Sequence, residues 1–360
     1  MEIKCREEIR DILAYEPGKP VEDVRREYGI EKVIKLASNE NPFGCSQKAK
    51  EAIKDSVDSL SIYPDGNSTI LRETISKKFN VPFECILPSC GSDEMIDIIA
   101  RTFMNHGDEV IMADITFPRY IAATKIMGAT PVVVPLNDFK YDLIGMKKMI
   151  TDKTRLIWLC NPNNPTGTIF TSNELKDFIK DVPSNVLVVY DEAYIEYVEC
   201  EEFPRNTFEL MNTYPNVIVM RTFSKAYGLA ALRVGYTVAS ASIIDALNKV
   251  RGPFNVNLLA QVAAVASLED EEFLYKCIEK NLQGKKYLYN EFDSMGIKFI
   301  KSYANHIFLD SGCPSNEVFE NMQAKGVIIR PMGGTYIRVT IGNEEQNKMF
   351  IDTLRKVINS

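Results

Sequence analysis

The sequence predicts an α/β protein with a large domain built on a mainly parallel, doubly wound sheet and a small carboxyl-terminal α+β domain. From about residue 85 to 240, short apolar runs alternate with amphipathic stretches. Most of these runs are continuously apolar, which is typical of strands covered by helices on both faces. After about residue 270 the pattern changes to longer helical periodicity and short strand-like runs, which favours a separate α+β unit.

The elements of the large domain follow from these runs. Apolar positions 95, 98, 99 and 103 indicate a helix over 92–103. The sequence from Thr171 to Glu174 has the pattern of a capped helix start. The predicted strands are 109–112, 131–135, 155–160, 186–190, 217–220 and 235–238.

The tail predicts a compact α+β arrangement, with a capped helix start at 343–346. We expect an amino-terminal arm over 1–40 that packs near the small domain, a large domain over 41–265 and a small domain over 266–360. The predicted elements of the tail are helices near 270–294, 315–324 and 343–358, and strands 297–300, 306–309, 327–330 and 336–340.

Composition narrows the class of protein. The 360 residues are 45% hydrophobic and 25% charged, with a formal net charge of −7. This balance is ordinary for a globular protein and argues against a nucleic-acid partner, so an anionic substrate would need locally placed cations. The amino terminus is charged rather than a signal sequence, and the apolar runs are too short to span a bilayer. We expect a soluble cytoplasmic protein with no membrane partner.

Cysteine and histidine usage gives no indication of a metal site. Eight scattered cysteines form no C-x-x-C pair, and only two histidines are present. Zinc-type ligand spacing is therefore absent. Free thiols in a reducing compartment are the expected state.

Lys225 is the most informative residue of the chain. It lies just past the predicted strand 217–220, and ligands bind at strand ends in open α/β folds. The hydroxyls of Thr222 and Ser224 and the guanidinium of Arg233 are groups that bind phosphate. An amine beside an anion site indicates a phosphorylated aldehyde held as a Schiff base, which is pyridoxal phosphate. The alternative is an ordinary solvated lysine.

Three further polar residues follow predicted strands. Asn164, in the Pro- and Asn-rich turn 161–167, is placed to donate to the phenolic oxygen of such a cofactor. Asp191 follows strand 186–190 and is suited to pair with the pyridinium nitrogen, and Tyr194 can reach the phenolic oxygen from the same turn. As isolated residues, all three are equally compatible with structural turns and helix caps.

Two more segments complete the pattern. Gly91, Ser92 and Asp93 open a predicted helix, whose free amides favour a phosphate. Phe117 lies just past strand 109–112, where an aromatic ring can stack on a pyridine ring. Taken alone, the segment 91–93 is equally an ordinary helix cap. Phe117, taken alone, is equally an ordinary core residue.

The order and spacing of these motifs resemble those of the fold-type I pyridoxal-phosphate enzymes, the aspartate aminotransferase superfamily. The resemblance implies that Lys225 is the Schiff-base lysine, that Asp191 pairs with the pyridine nitrogen, and that Asn164 and Tyr194 contact the phenolate oxygen. It implies a phosphate cradle made by Gly91, Ser92, Asp93, Thr222, Ser224 and Arg233.

Further segments are similar to the histidinol-phosphate aminotransferase family. They cover nearly the whole chain and comprise 15–19, 35–44, 63–66, 251–257 and 336–342. The resemblance implies transamination of L-histidinol phosphate with 2-oxoglutarate, giving imidazole-acetol phosphate and glutamate in histidine biosynthesis. It also implies a homodimer with shared active sites, in which Tyr63 reaches the cofactor phosphate of the neighbouring subunit.

The same resemblance implies a set of substrate contacts. Arg338 would clamp the substrate carboxylate or phosphate, with Arg330 as the second cation and Tyr15 as a further donor. Asn39 would lie at the mouth of the site. The segment between the two arginines is shorter than the resemblance implies, and Arg119 adds a cation near the site without an assigned role. For either arginine the alternative is a surface ion pair.

The implied mechanism is a ping-pong transamination. Lys225 would carry the proton between the substrate α-carbon and the cofactor, Asp191 would keep the pyridine protonated, and Tyr194 would assist at the phenolic oxygen. The nearest alternative is an aromatic amino acid aminotransferase on the same scaffold. A decarboxylase of a phosphorylated amino acid is more distant, and a cofactor-binding regulator would need a DNA-binding module for which the chain has no basic segment.

Overall fold

The computed structural model describes residues 4–10, 12, 14 and 19–358. The strands are β1 (Ile34–Lys35), β2 (Ile86–Ser89), β3 (Glu109–Ala113), β4 (Thr130–Val134), β5 (Thr154–Cys160), β6 (Leu187–Asp191), β7 (Val217–Thr222), β8 (Gly235–Ala239), β9 (Lys298–Phe299), β10 (His306–Asp310), β11 (Val327–Ile328), β12 (Arg330–Pro331) and β13 (Tyr336–Thr340). The α-helices are α1 (Val21–Tyr28), α2 (Gln47–Ser56), α3 (Thr69–Phe79), α4 (Gly91–Phe103), α5 (Arg119–Ile126), α6 (Leu143–Lys148), α7 (Ser172–Ile179), α8 (Leu210–Thr213), α9 (Ala241–Asn248), α10 (Leu258–Leu268), α11 (Glu271–Met295), α12 (Ser315–Gln323) and α13 (Glu344–Ile358).

A seven-stranded sheet organises the large part of the molecule. Its strand order is β2-β8-β7-β6-β5-β3-β4. Strands β3 to β7 run parallel, whereas β8 is antiparallel to both of its neighbours. The continuous apolar runs become the buried strands β5, β6 and β7, because helices cover both faces of such a sheet. The predicted α/β class with a mainly parallel sheet is confirmed.

Strand β2 was not among the predicted strands. All four of its residues are buried, and it pairs along one side only, with β8. Pro88 lacks a backbone N–H and therefore lowers the strand character of this run, but an edge position tolerates it. The strand leads directly to Gly91, where α4 begins.

A second, antiparallel sheet has the order β12-β13-β10-β9. Its core includes Leu288 and Phe292 from the second half of α11, together with residues of α12 and α13. The predicted single strand over 327–330 is wrong. The chain leaves β11 after Ile328 and enters the antiparallel sheet as β12 at Arg330, so one apolar run serves two different sheets.

The amino-terminal segment is tied to this second sheet. Strand β1 pairs in parallel with β11, and the Leu36 amide donates to the Ile328 carbonyl over 2.7 Å. The Leu36 carbonyl in turn accepts from the amide of Thr340 at the end of β13 over 2.8 Å. These bonds fix the chain three residues before Asn39 and place that residue beside β13.

Each of the helices in the described part of the chain is too short or too polar to cross a bilayer. The carboxyl ends of β3, β5, β6 and β7 meet at one edge of the parallel sheet, and ligands bind at such an edge in open α/β folds. The loops that follow them carry Phe117, Asn164, Tyr194 and Lys225.

Candidate active site

A cavity of ≈ 560 Å³ lies at this edge, between the two sheets. Two of the predicted site residues, Gly91 and Tyr63, do not line the cavity within one chain. Tyr15 lies outside the described residues. The predicted residues that line the cavity are Asn39, Ser92, Asp93, Phe117, Asn164, Asp191, Tyr194, Thr222, Ser224, Lys225, Arg233, Arg330 and Arg338.

Lys225 projects into the cavity from the turn after β7. Its Nζ donates to the Ser38 carbonyl over 3.2 Å and lies 5.8 Å from the centre of the Tyr194 ring. Burial, and then the positive charge of Arg338, lower the pKa of Lys225 to about 8. The side chain is therefore a partly buried amine that loses its proton more readily than a freely solvated lysine.

Asp191 is a buried carboxylate at the end of β6. Its Oδ2 accepts from the Tyr120 hydroxyl over 2.7 Å and its Oδ1 accepts from the Ala193 amide over 3.0 Å. Burial raises the pKa of Asp191 to about 6, although both hydrogen bonds lower it. Tyr120 was not predicted as a site residue, but it lies three residues after Phe117 in the first turn of α5, and that spacing is the signal that could have identified it.

The residues of the predicted phosphate cradle lie close together around Gly91 and Arg233. Gly91 has a φ of +76°, and a Cβ placed on it would lie 2.9 Å from Arg233 Nη2. The guanidinium donates to Ser224 Oγ over 3.4 Å and to Asp93 Oδ2 over 3.3 Å. Thr222 Oγ1 accepts from the Ser224 amide over 3.1 Å. The hydroxyls, the guanidinium and the α4 amino terminus thus converge in a manner that favours an anion.

Asn164 and Tyr194 face the cavity from neighbouring loops. Asn164 Oδ1 accepts from Arg338 Nη1 over 2.7 Å, so its amide nitrogen is the atom left to donate elsewhere. The Tyr194 hydroxyl oxygen accepts from Asn39 Nδ2 over 3.0 Å. Burial raises the pKa of Tyr194, so its hydroxyl stays protonated at neutral pH.

The two cavity arginines are adjacent across the second sheet. Arg330 of β12 is the direct register partner of Arg338 of β13. The short segment between them is a tight hairpin in which the Met332 amide donates to the Tyr336 carbonyl over 2.9 Å. Gly333, with a φ of +88°, allows the turn. The shortness of this segment therefore brings the two guanidinium groups to one side of the cavity.

Arg119 has a structural role. Its Nη2 donates to both carboxylate oxygens of Asp97, over 2.7 and 3.0 Å, and this pair joins α5 to α4. Tyr63, in contrast, is 79% exposed and stacks on Phe254 with 4.7 Å between ring centres. Its hydroxyl is therefore available to a neighbouring molecule rather than to the cavity of its own chain.

Sequence reasoning missed several lining residues, among them Ser38, Thr116, Cys160 and Glu40. Glu40 forms an ion pair of 2.8 Å with Lys35. Within the described residues, no group of three or more histidine, cysteine, aspartate and glutamate side chains could hold a metal ion. The eight cysteines, all of them in the described part of the chain, are free thiols.

Comparisons with known proteins place the chain. The sequence model of the aminotransferase class I and II family matches residues 31–354. A histidinol-phosphate aminotransferase of Caldicellulosiruptor saccharolyticus is 49% identical over 98% of this chain and 99% of its own length. The chain belongs to the histidinol-phosphate aminotransferase family.

Other members of the histidinol-phosphate aminotransferase family agree with this assignment. The enzyme of Moorella thermoacetica is also 49% identical, over 99% of this chain and 93% of its own length. The crystal structure of the Sinorhizobium meliloti family member, solved in complex with pyridoxal-5'-phosphate, covers 100% of this chain and 98% of its own with a TM-score of 0.92 at 25% identity. The fold is therefore that of the fold-type I aminotransferases, as the sequence motifs predicted.

Proposed function

We propose that this chain catalyses the pyridoxal-phosphate-dependent transamination of L-histidinol phosphate with 2-oxoglutarate, giving imidazole-acetol phosphate and glutamate. The observation that carries the proposal is the presence, in one cavity, of the partly buried amine of Lys225 and the adjacent guanidinium groups of Arg330 and Arg338. An amine can hold the cofactor aldehyde, and paired guanidinium groups suit a substrate that carries a phosphate.

The cavity residues fit the cofactor. Gly91 leaves the space that a Cβ would take from the Arg233 guanidinium, and that guanidinium, with Thr222 and Ser224, suits the phosphate. We assign Asp191, the buried carboxylate, to the ring nitrogen. Further contacts are assigned to the amides of Ser92 and Asp93 at the phosphate, to Phe117 at the ring face, and to Asn164 and Tyr194 at the phenolic oxygen.

When bound, pyridoxal phosphate supplies a ring that accepts electrons from the substrate α-carbon. The chain supplies the proton transfers. Lys225 Nζ would take the proton from the substrate α-carbon and deliver it to C4′ of the cofactor, and its lowered pKa suits a base near neutral pH. Asp191 would pair with the protonated ring nitrogen, and the Tyr194 hydroxyl would donate a hydrogen bond to the phenolic oxygen.

The substrate anions bind on the second sheet. We assign the phosphate of histidinol phosphate to both Arg330 and Arg338, and a carboxylate of glutamate or 2-oxoglutarate to Arg338. Tyr15 and Asn39 are proposed as further contacts. Arg338 already donates to the Asn164 side chain and to the Ala37 carbonyl, so this guanidinium is held in place before the substrate arrives.

We further propose that the protein is a cytoplasmic homodimer with shared active sites. Tyr63 and the Phe254 ring on which it stacks are exposed, as are several large apolar side chains close to Tyr63 in the sequence, and an identical subunit would bury such side chains. The eight free thiols suit a reducing compartment. The exposed group comprises Val57, Leu60, Ile62, Ile70 and Phe254.

Substrate preference tests the proposed function. Initial rates with 2-oxoglutarate are measured for histidinol phosphate and for phenylalanine, the substrate of the aromatic alternative. We expect kcat/KM for histidinol phosphate to be higher by more than about 100-fold, because the cavity arginines have no partner in phenylalanine's side chain. A higher kcat/KM for phenylalanine would refute the proposed substrate.

A further inference from the structure

His306 lies directly behind the cavity. It is fully buried at the start of β10, where it is the register partner of Thr340 on β13. Its imidazole ring meets the Tyr194 ring edge to face, with 5.0 Å between ring centres and an interplanar angle of 70°. His306 does not line the cavity, and the mechanism above gives it no role.

Asn39 connects this histidine to the tyrosine. Its Nδ2 lies 3.0 Å from Tyr194 Oη and 3.1 Å from His306 Nδ1. Its backbone amide donates to Thr340 Oγ1 over 2.9 Å, and the Thr340 hydroxyl faces Asn39 Oδ1 at 3.2 Å. All four side chains are buried. A buried hydrogen without an acceptor is costly, so the arrangement that leaves the fewest of them unpaired is favoured.

Counting hydrogens fixes the orientation of the Asn39 amide. Thr340 Oγ1 already accepts from the Asn39 backbone, and its own hydrogen has Asn39 Oδ1 as its acceptor. With the amide reversed, the Thr340 hydroxyl oxygen would face two N–H donors. Among the described residues, the hydrogen bonds of this hydroxyl include no other acceptor for its own hydrogen. The Asn39 nitrogen therefore faces Tyr194 and His306, and its two hydrogens go one to each.

The state of the imidazole follows from the same bonds. To accept at Nδ1, the ring must be neutral and carry its proton on Nε2. Burial, and then the charges of Arg338 and Lys225, hold the pKa of His306 well below its usual range. The Pro165 backbone has the opposite, smaller effect and raises the pKa of His306. Within the described chain, Nε2 has no hydrogen bond of ordinary geometry.

We propose that His306 is a positioning residue: together with Thr340 it holds the Asn39 amide in the orientation that points its two hydrogens at His306 Nδ1 and Tyr194 Oη, and so directs the Tyr194 hydroxyl proton into the cavity. The inference rests on the proposed function, because the acceptor of that proton is the phenolic oxygen of the cofactor. Were Tyr194 to donate to Asn39 instead, its proton would be unavailable to the cavity.

The test is a pH titration of the visible absorbance of the cofactor-loaded protein, without substrate. His306→Phe keeps a ring against Tyr194 but removes the acceptor at Nδ1. A hydrogen bond from Tyr194 favours the charged phenolic oxygen and so lowers the midpoint. If His306→Phe weakens that hydrogen bond, the titration midpoint should rise by about one pH unit. His106→Phe, at the second of the two histidines, is the control and should leave the midpoint unchanged.

A double-mutant cycle decides whether His306 acts through Tyr194. In a Tyr194→Phe background, His306→Phe should produce no further rise of the midpoint, whereas full additivity of the two effects would overturn the proposal. An unchanged midpoint in His306→Phe would overturn it as well. Should that variant fail to fold, Thr340→Val removes the hydroxyl that holds Asn39 Oδ1 and must raise the midpoint in the same direction.

The proposed function and this inference fail in different ways. The titration uses no substrate, so a preference for phenylalanine over histidinol phosphate leaves its result intact. A wild-type protein that shows no visible cofactor band would overturn both.

Discussion

Arg338 Nη1 donates to the side-chain oxygen of Asn164 over 2.7 Å and thereby links the second sheet to the loop that follows β5. The same guanidinium donates to the Ala37 carbonyl and is the second-largest cause, after burial, of the lowered pKa of Lys225. One cation thus orients the Asn164 amide and lowers the pKa of the Lys225 amine, in the cavity where we propose that the substrate anion binds.

Substitution of each cavity arginine should raise the KM of a different substrate. Arg338→Gln removes a buried, hydrogen-bonded cation, which costs roughly 2–5 kcal/mol of anion binding, so the KM for glutamate should rise by roughly 30-fold or more. Arg330→Gln should raise the KM for histidinol phosphate and change that for glutamate little, because glutamate carries no phosphate. Steady-state kinetics with each substrate measure both effects, and equal losses in the two variants would contradict the assignment.

The Lys225 amine should become reactive at an unusually low pH. Since burial and Arg338 lower its pKa from 10.5 to about 8, modification of the cofactor-free protein by an amine-reactive reagent should rise through pH about 8. The extent of modification at Lys225 is measured by mass spectrometry of the peptide that contains this residue. Arg338→Gln should move the midpoint upward and Arg338→Lys, which keeps the charge, should not. A wild-type midpoint near 10.5 would contradict this.

The buried carboxylate of Asp191 should make the cofactor-free protein less stable as pH rises. Its folded pKa is raised from 3.8 to about 6, so the folded state binds the proton more tightly than the unfolded state. That contribution is fully present below pH about 3.8 and is lost as pH rises through about 6. The difference between the two pKa values corresponds to on the order of 3 kcal/mol.

Urea unfolding of the cofactor-free protein between pH about 5 and 8 measures this effect. The free energy of unfolding of the wild type, relative to Asp191→Asn, should decrease with rising pH. Tyr120→Phe removes a hydrogen bond that lowers the Asp191 pKa and should shift the decrease to higher pH. A pH-independent difference between wild type and Asp191→Asn would show that Asp191 is ionised throughout.

Gly91 offers a matched test of the phosphate cradle. Gly91→Ala places a Cβ 2.9 Å from the Arg233 guanidinium, whereas Gly107, with a similarly positive φ of +85°, has no atom within 4 Å of its Cβ position. Both substitutions strain the backbone by about 1 kcal/mol. Only Gly91→Ala should weaken cofactor binding, by roughly tenfold or more if the guanidinium loses one charge-assisted hydrogen bond. Equal cofactor dissociation constants in the two variants would contradict the cradle.

Local sequence patterns were sufficient to place much of the cavity. Phe117, Asn164, Asp191 and Lys225 each follow or end an apolar run, and the carboxyl ends of parallel strands meet at one edge, so position along the chain implied proximity in space. The helix predicted over 92–103, which α4 (Gly91–Phe103) matches closely, followed instead from its apolar periodicity. Tyr63 remains a prediction, because its expected partner belongs to another subunit.

Other features depend on long-range pairing that no local pattern encodes. The hydrogen bond from Tyr120 to Asp191 joins residues 71 positions apart, and Arg119 is held by Asp97 rather than by a ligand. The split of the predicted strand 327–330 arose because β1, far away in the sequence, pairs with only its first half. His306 escaped notice because its environment is built from three separate segments.

The most direct test of the account is covalent. Cofactor-loaded protein is reduced with borohydride, digested and analysed by mass spectrometry, with Lys225→Ala and the surface variant Lys140→Ala treated in parallel. We expect the reduced cofactor on the peptide containing Lys225 in the wild type and in Lys140→Ala, and neither this adduct nor transaminase activity in Lys225→Ala. A cofactor adduct on a different lysine of the wild type, or full transaminase activity in Lys225→Ala, would contradict the account.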